Sequence, residues 1–340
     1  MKVAVYEGIK SIRLEERPDP KAAPGEVIVR VKYCGICGTD VHAYWYEPLD
    51  APGHVFGHEI VGTIAEVGKG VEGWQVGDRV LVDRGGGGMA EYMEIQDTQR
   101  VFKLPDEVSF EEAVLWDPIC VPLRGIRQSR FRIGDNVVVA GAGAIGLSAV
   151  QLLRMGGARH ITVLEPIAKK REFALKCGAD VGLNPIAEGD ALQEKVRALY
   201  GGAGADAGPN PPAQGAARRE RAMGFFGSAG ADVAYECAGS SQSFQALLGL
   251  VKRGGQVLLV GVTNKETPVV ESALIRGEIE IKGSLTFRDE DIRICLDFLA
   301  KRRFNTKGMI SDIISLDDVV KGMERLISPD EGLIKVVVAP

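Results

Sequence analysis

The sequence predicts an α/β protein in two parts, a doubly wound parallel sheet and a mostly β barrel-like domain, and three observations carry that prediction. The opening third reads as short β-branched runs, Val3 to Tyr6, Ile12 to Leu14 and Val27 to Tyr33, parted by Pro18, Pro20, Pro24 and Gly25. That is the rhythm of antiparallel strands and turns. The middle has the strand, turn, helix and strand order of a βαβ unit around Gly141-Ala142-Gly143-Ala144-Ile145-Gly146. Finally, 340 residues exceed one ordinary core and suit two domains with a cleft between them.

Bulk composition narrows the classes of partner. Lys and Arg number 41 against 46 Asp and Glu, for a net charge of -5, which gives no electrostatic case for nucleic acid or an anionic membrane surface. A small molecule is the expected partner. The 6 cysteines lack the spacing of a disulfide framework, and Cys177 and Cys237 sit in apolar segments, so the expected compartment is reducing and cytoplasmic. The opening MKVAVYEG shows neither the basic region nor the apolar stretch of an export signal. The longest apolar run, Val137 to Val150, falls short of the ~18 residues a membrane span needs.

The stretch from Cys34 to Glu59 concentrates the chemistry of the first domain. Cys37, Asp40, His42, His58 and Glu59 are candidate metal ligands or proton carriers within one loop-rich segment, and Gly35, Gly38, Gly53 and Gly57 let it fold tightly. A thiolate and an imidazole are ligands that zinc prefers. Ile60 to Val67 and the segment Val76 to Val80 then continue the strand rhythm. Asp83-Arg84 and Gly85 to Gly88 lead straight to Met89-Ala90-Glu91-Tyr92, without the cysteine cluster that a second zinc would need. From Ser109 to Leu123 an N-cap serine, early acids and an apolar stripe predict a helix entering the cleft. Asp117 lies within it. A carboxylate between Trp116 and Ile119 needs a partner, and a helix cap, a salt bridge and a metal ion are the alternatives.

Asn136 to Ala140 reads as a buried parallel strand leading into the glycine turn, followed by the helical Leu147 to Met155 and a second strand, Ile161 to Leu164. Gly141 makes the tight turn, Gly143 admits the pyrophosphate, Gly146 allows close packing, and Ile145 lies between them at the helix amino end, which favours phosphate. Glu165 closes the second strand. A carboxylate there accepts from ribose hydroxyls and repels a 2'-phosphate, so NAD is expected over NADP, although Lys169, Lys170 and Arg171 follow closely. The Ala/Gly/Pro-rich segment Ala207 to Ala231 reads as an inserted surface excursion ahead of the strand Val233 to Cys237. Later, Asp289 to Lys301 and Leu316 to Ile327 read as helices, and Ile334 to Val338 as a strand returning to the first domain.

Cys37-Gly38-Thr39-Asp40-Val41-His42, followed by Gly57-His58-Glu59, resembles the zinc-dependent medium-chain dehydrogenases, the family of alcohol, sorbitol and threonine dehydrogenases. The likeness runs over nearly all of the chain and implies a GroES-like catalytic domain, 1–120 completed by 288–340, and a Rossmann domain, 121–287. It implies one zinc on Cys37 and His58, completed by Glu59 or Asp117, and loss of the lobe that holds a structural zinc. Thr39 and His42 would relay the proton, with Asp40 as support. On the NAD side it implies Lys170 at the adenosine ribose, Ala238, Gly239, Val260, Gly261 and Val262 along the cofactor edge, and Lys335 near the pyrophosphate. Ile279 to Ser284 resembles the edge strand through which relatives form homodimers or homotetramers. Tyr44, Trp45, Tyr46, Trp116 and Leu123 are expected to line the cleft.

The implied reaction is reversible oxidation of a secondary alcohol or polyol by NAD. Gly38, in place of a basic residue, leans toward the sorbitol or threonine branch, and Asp117-Pro118 resembles some threonine dehydrogenases. The alternatives are an L-threonine 3-dehydrogenase-like activity, a zinc-free NADPH-dependent reductase and a non-catalytic dinucleotide-binding protein. His54 and His160 lack motif context and read as ordinary.

Overall fold

A computed structural model describes residues 1–46, 51–201, 229–328 and 332–340. The chain divides into two compact units, Met1–Asp117 with Ile292–Pro340, and Pro118–Asp291.

Alternating apolar residues set the first unit's strands: β1 (Lys2–Gly8), β2 (Ser11–Glu16), β3 (Val27–Gly35), β4 (Glu59–Val67), β5 (Arg79–Asp83), β6 (Tyr92–Ile95) and β7 (Val101–Lys103). The second unit contributes β8 (Asn136–Ala140), β9 (His160–Leu164), β10 (Val181–Leu183), β11 (Ala231–Glu236), β12 (Val251–Leu259) and β13 (Glu280–Gly283). The chain then returns to the first unit with β14 (Ile310–Ser315) and β15 (Lys335–Ala339). The seven-stranded sheet of the first unit runs β14-β15-β3-β4-β5-β7, with β6 paired to β3. Its core includes Val27, Val29, Ile60, Ile64, Val80 and Val336, all buried. Each such side chain contributes about 1.5–3 kcal/mol by leaving water.

Helix α1 (Gly38–Trp45) follows β3 directly. Ser109 begins α2 (Phe110–Ala113) with a reciprocal cap, its hydroxyl accepting from the Glu112 amide at 3.2 Å while Glu112 Oε2 accepts from the Ser109 amide at 2.8 Å. The single helix expected from Ser109 is in fact two, because the chain breaks after Ala113 and starts again as α3 (Trp116–Gln128). Pro118 suits a restart, since a helix's first-turn amides need no intrahelical acceptor.

The second unit alternates strand and helix, with α4 (Ala144–Met155), α5 (Ala168–Lys176), α6 (Pro185–Glu188), α7 (Leu192–Leu199), α8 (Ser241–Leu250) and α9 (Glu271–Gly277). Its six-stranded parallel sheet has the order β10-β9-β8-β11-β12-β13. This doubly wound order reverses between β8 and β11, which opens a crevice at the strands' carboxyl ends. In the first unit, α10 (Asp289–Ala300), which begins at the unit boundary, and α11 (Val319–Ile327) complete the described helices.

Most of the Ala207 to Ala231 segment lies outside the described residues. Its last member, Ala231, is fully buried and already belongs to β11, so the strand begins earlier than expected. Strand β13 is the sheet edge. Tyr44 and Trp116, expected to line a cleft, are 3% and 1% exposed, and Tyr44 packs in the first unit's core.

Candidate metal centre and dinucleotide edge

Antiparallel pairing of β3 with β4 builds the metal centre. It sets Gly35, the last residue of β3, opposite Glu59, the first of β4. Cys37 lies two residues beyond Gly35 and His58 one residue before Glu59, so a single sheet end presents all three side chains. The ligand atoms of Cys37, His58 and Glu59 lie within 4.8 Å of one another, a spacing one metal ion can span. Among the described residues this is the one such group, and Asp117 stands outside it.

Two glycines make the arrangement possible. A Cβ on Gly35 would sit 1.9 Å from Glu59 Oε2, so only a glycine leaves room for that carboxylate. Gly57 has φ +89, and a Cβ there would come within 2.4 Å of Cys34 Sγ. Any side chain at Gly57 would therefore be strained by its backbone as well as crowded.

Asp40 ties the two ligand segments together. Its carboxylate accepts the Cys37 amide at 2.9 Å and the Gly57 amide at 3.4 Å, while Oδ1 stands 3.7 Å from His58 Nδ1. A carboxylate behind a ligating histidine orients the ring and raises its basicity. Burial works against a charged His58. It is outweighed by the Cys37 sulfur, to which His58 hydrogen-bonds, and by the negative charge of Asp40 and Asp117, which together push its imidazole up to about 11. The converging ligand atoms make a seat for a cation, and the thiol and imidazole donors match zinc.

Lys335 has a partner that the sequence did not suggest. Its ammonium donates to Glu59 Oε1 at 2.6 Å, Glu59 Oε2 at 2.8 Å and the Ile36 carbonyl at 3.1 Å. It is 5% exposed and Glu59 1%. A lysine buried this deeply is retained only beside an anion, and the gap at Gly35 lets Glu59 supply one. Burial lowers the Lys335 pKa, but the charge of Glu59 and its neighbours outweighs this and leaves it above the ordinary value. Asp117 lies in the first turn of α3, 7% exposed, where burial and then the charge of Glu59 hold its carboxyl above the usual range.

Thr39 and His42 stand three residues apart on α1, so they share a helix face, and both are partly exposed. The other two histidines are not members of this ligand group. His54 packs against Phe56 with ring centroids 5.7 Å apart, and His160, in the second unit, against Tyr200 at 5.3 Å.

In the second unit the glycine turn joins β8 to α4. A Cβ on Gly146 would meet the Gly141 carbonyl oxygen at 1.9 Å, the close helix approach that the fingerprint requires. Gly143 is the α4 N-cap, and Ile145 lies in the first turn. Glu165 directly follows β9 at 6% exposure, accepting the Ala142 amide on Oε2 at 2.8 Å and the Ile167 amide on Oε1 at 3.0 Å. A carboxylate has about four acceptor sites, so two bonds leave capacity for ribose hydroxyls. Lys170 feels the Glu165 charge, although burial, the larger effect, lowers its pKa.

Ala238 and Gly239 follow β11, and Val260, Gly261 and Val262 follow β12, at the same strand ends. Between those loops stands Glu236, 2% exposed, which sequence reasoning passed over. An acid inside the apolar run Val-Ala-Tyr-Glu-Cys was the available signal, since a buried carboxylate must gather donors.

Comparison with known proteins agrees with this geometry. Residues 144–301 match the family Zinc-binding dehydrogenase, and residues 23–106 match the Alcohol dehydrogenase GroES-like domain. The chain belongs to the zinc-binding alcohol dehydrogenase family. Within that family it is 28% identical to (R,R)-butanediol dehydrogenase of Bacillus subtilis (strain 168) over 376 aligned positions, covering 100% of each chain. It is 29% identical to sorbitol dehydrogenase of the same organism, covering 100% of this chain and 97% of that one. The crystal structure of Bacillus subtilis 2R,3R-butanediol dehydrogenase superposes with a TM-score of 0.85, covering 100% of this chain and 99% of that one. A Sinorhizobium meliloti 1021 protein solved bound to NADP gives 0.83 at 27% identity, with 100% and 99% coverage. The chain is thus an oxidoreductase of the NAD(P)-dependent alcohol dehydrogenase superfamily, with a mostly β GroES-like domain and a Rossmann domain. Among the described residues there is no four-cysteine structural-zinc cluster, and no disulfide joins any of the six cysteines.

Proposed function

We propose that the protein oxidises a secondary alcohol or polyol to a carbonyl, reversibly, with NAD as hydride acceptor and one zinc per chain. The observation that carries this reading is the convergence of the Cys37, His58 and Glu59 ligand atoms. Those three side chains would hold the ion, with Asp117 adding negative charge beside them. Bound zinc supplies Lewis acidity toward a hydroxyl or carbonyl oxygen, and bound NAD takes up or returns hydride. Asp40 fixes His58 against the Cys37 segment, and Lys335 holds Glu59 in place, so the donor set is organised before the ion arrives.

The proton is left to the chain's own groups. Thr39 Oγ1 can pass it along the α1 face to the His42 imidazole, a group able both to accept and to release a proton. Glu165, fixed by two amides, favours ribose hydroxyls over a 2'-phosphate, and Lys170 stands at the adenosine side. Gly141, Gly143, Ile145 and Gly146 would receive the pyrophosphate, with Ala238, Gly239, Val260, Gly261 and Val262 lining the remainder of the edge. Pairing of β13 across a two-fold axis would give a homodimer or homotetramer and cover an open sheet edge. A reducing, cytoplasmic setting suits six cysteines with no disulfide among them.

The relatives' names point to polyols and diols as first substrates. The test is NAD reduction with the 2,3-butanediol stereoisomers, sorbitol, xylitol and L-threonine, repeated with NADP and with Glu165→Ala. Turnover of a diol or polyol, preferring NAD in the parent and losing that preference in the variant, is expected. No turnover with any of them would contradict the reading, and turnover confined to L-threonine would favour the threonine-dehydrogenase alternative.

A further inference from the structure

We propose that Glu236 is a positioning residue for the nicotinamide half of the dinucleotide, acting through the backbone of the 237–240 and 260–262 loops that it ties together. This rests on the reading that a dinucleotide lies along the carboxyl ends of the parallel strands. Which half lies here follows from strand order. Glu165 follows β9 on one side of β8, while Glu236 ends β11 on the other, across the crevice. An acid at Glu165 marks the adenosine ribose, so the loops after β11 and β12 fall to the nicotinamide half.

Glu236 is bonded at both its side chain and its backbone. Its Oε1 accepts the Ala238 amide at 2.9 Å, the Ser240 amide at 3.5 Å and the Ser243 hydroxyl at 2.6 Å, and Oε2 accepts the Gly239 amide at 3.1 Å. Its main-chain carbonyl accepts the amides of Val260 at 2.9 Å and Gly261 at 2.8 Å. One residue therefore fixes the loop after its own strand by its carboxylate and the loop after the next strand by its carbonyl.

The loops also interlock directly. A Cβ on Gly261 would stand 2.3 Å from the Gly239 amide nitrogen and 2.7 Å from Glu236 Oε2, while Gly239, at φ +65, would press a Cβ to 2.6 Å from the Val262 carbonyl oxygen. On the other side, a Cβ on Gly141 would come within 3.1 Å of Ala238. The carboxylate thus sits where the two nicotinamide-side loops meet, with the glycine turn alongside. Ser240 and Ser243 also belong to the start of α8, and a group that only capped that helix would serve both halves of the cofactor or neither.

The two roles separate by comparing ligands that differ only in the nicotinamide ring, the part of that half these loops would position. Binding of NAD and of ADP-ribose, which lacks the nicotinamide ring, is measured by calorimetry on the full-length zinc-loaded protein and on Glu236→Gln. The amide keeps the size of the carboxylate but turns an NH2 toward amide donors, so one loop contact is lost. The expected result is a rise of about ten-fold or more in the NAD Kd, with the ADP-ribose Kd within about two-fold of the parent. Equal losses for both ligands, or no loss for either, would overturn the proposal. If Glu236→Gln does not fold, Ser243→Ala removes one hydroxyl from the same carboxylate. It should weaken NAD binding about three-fold with ADP-ribose unchanged, and absence of that selective loss would overturn the proposal equally. Should the parent bind neither ligand, the underlying dinucleotide reading fails and the proposal falls with it.

Discussion

Lys335 and Glu59 are both almost fully buried, and each is held there by the other. Removing one partner of such a pair leaves an uncompensated charge in a poor solvent for it, which costs about 3–5 kcal/mol, while removing both can be close to neutral. Lys335→Met should therefore lower the stability of the metal-free first unit by about 3 kcal/mol. The double variant with Glu59→Gln should recover most of that. Thermal or urea unfolding of the three proteins provides the check, and additive losses would show that the pair is not coupled.

His160 offers a residue-level prediction of opposite electrostatic character. Burial depresses its pKa below the ordinary value, with Arg154 and Arg159 acting in the same direction and Asp180 against them. Its Nε2 is buried without a hydrogen-bond partner among the described residues. Between the depressed native pKa and the ordinary unfolded value of about 6.5, the unfolded chain binds the proton more readily. The stability is therefore complete above that ordinary value and is lost as the pH falls through the native one. Melting temperatures at pH 7.5 and 5.5 should drop less in His160→Gln than in the parent, and parallel drops would exclude His160 as a contributor.

At the scale of elements, the turn between β8 and α4 depends on how closely a helix can approach a carbonyl. A methyl on Gly146 would lie 1.9 Å from the Gly141 oxygen, and neither backbone has a rotamer with which to escape. Gly146→Ala should force α4 outward at about 1–3 kcal/mol, the usual cost of overpacking. Because the displaced turn is the proposed pyrophosphate seat, the KM for NAD should rise about ten-fold while zinc content stays at the parent level. A variant with parent KM would show that the turn can relax without harm.

These elements also show what a sequence discloses. The Cys37 and His58 segment and the glycine turn were legible because their chemistry is written in local spacing, and paired strands then complete the geometry. The Lys335–Glu59 pair was not, because its members are 276 positions apart and meet only through β15, β3 and β4. Glu236 differs, since the donors to its carboxylate lie within seven residues of it, and only the absence of a motif for such a carboxylate concealed its role. The break between α2 and α3 falls inside an apolar stretch that reads as one continuous helical stripe.

For the whole molecule, the candidate metal centre lies within the first unit and the candidate dinucleotide edge within the second, each organised by its own sheet. The architecture follows from the change of pattern along the chain, antiparallel runs first and strand-helix alternation afterwards. Among the described residues no helix is long and apolar enough to cross a membrane. The first unit offers a single Cys-His-Glu set, and the described residues hold no second cluster, so the chain should carry one zinc. The central claim is tested most directly by elemental analysis of the dialysed protein and of Cys37→Ser, alongside NAD reduction by a diol or polyol. Close to one zinc per chain in the parent, with metal and turnover lost together in the variant, is the predicted result. Two zinc ions per chain, or a Cys37→Ser protein that keeps both its metal and its turnover, would contradict it.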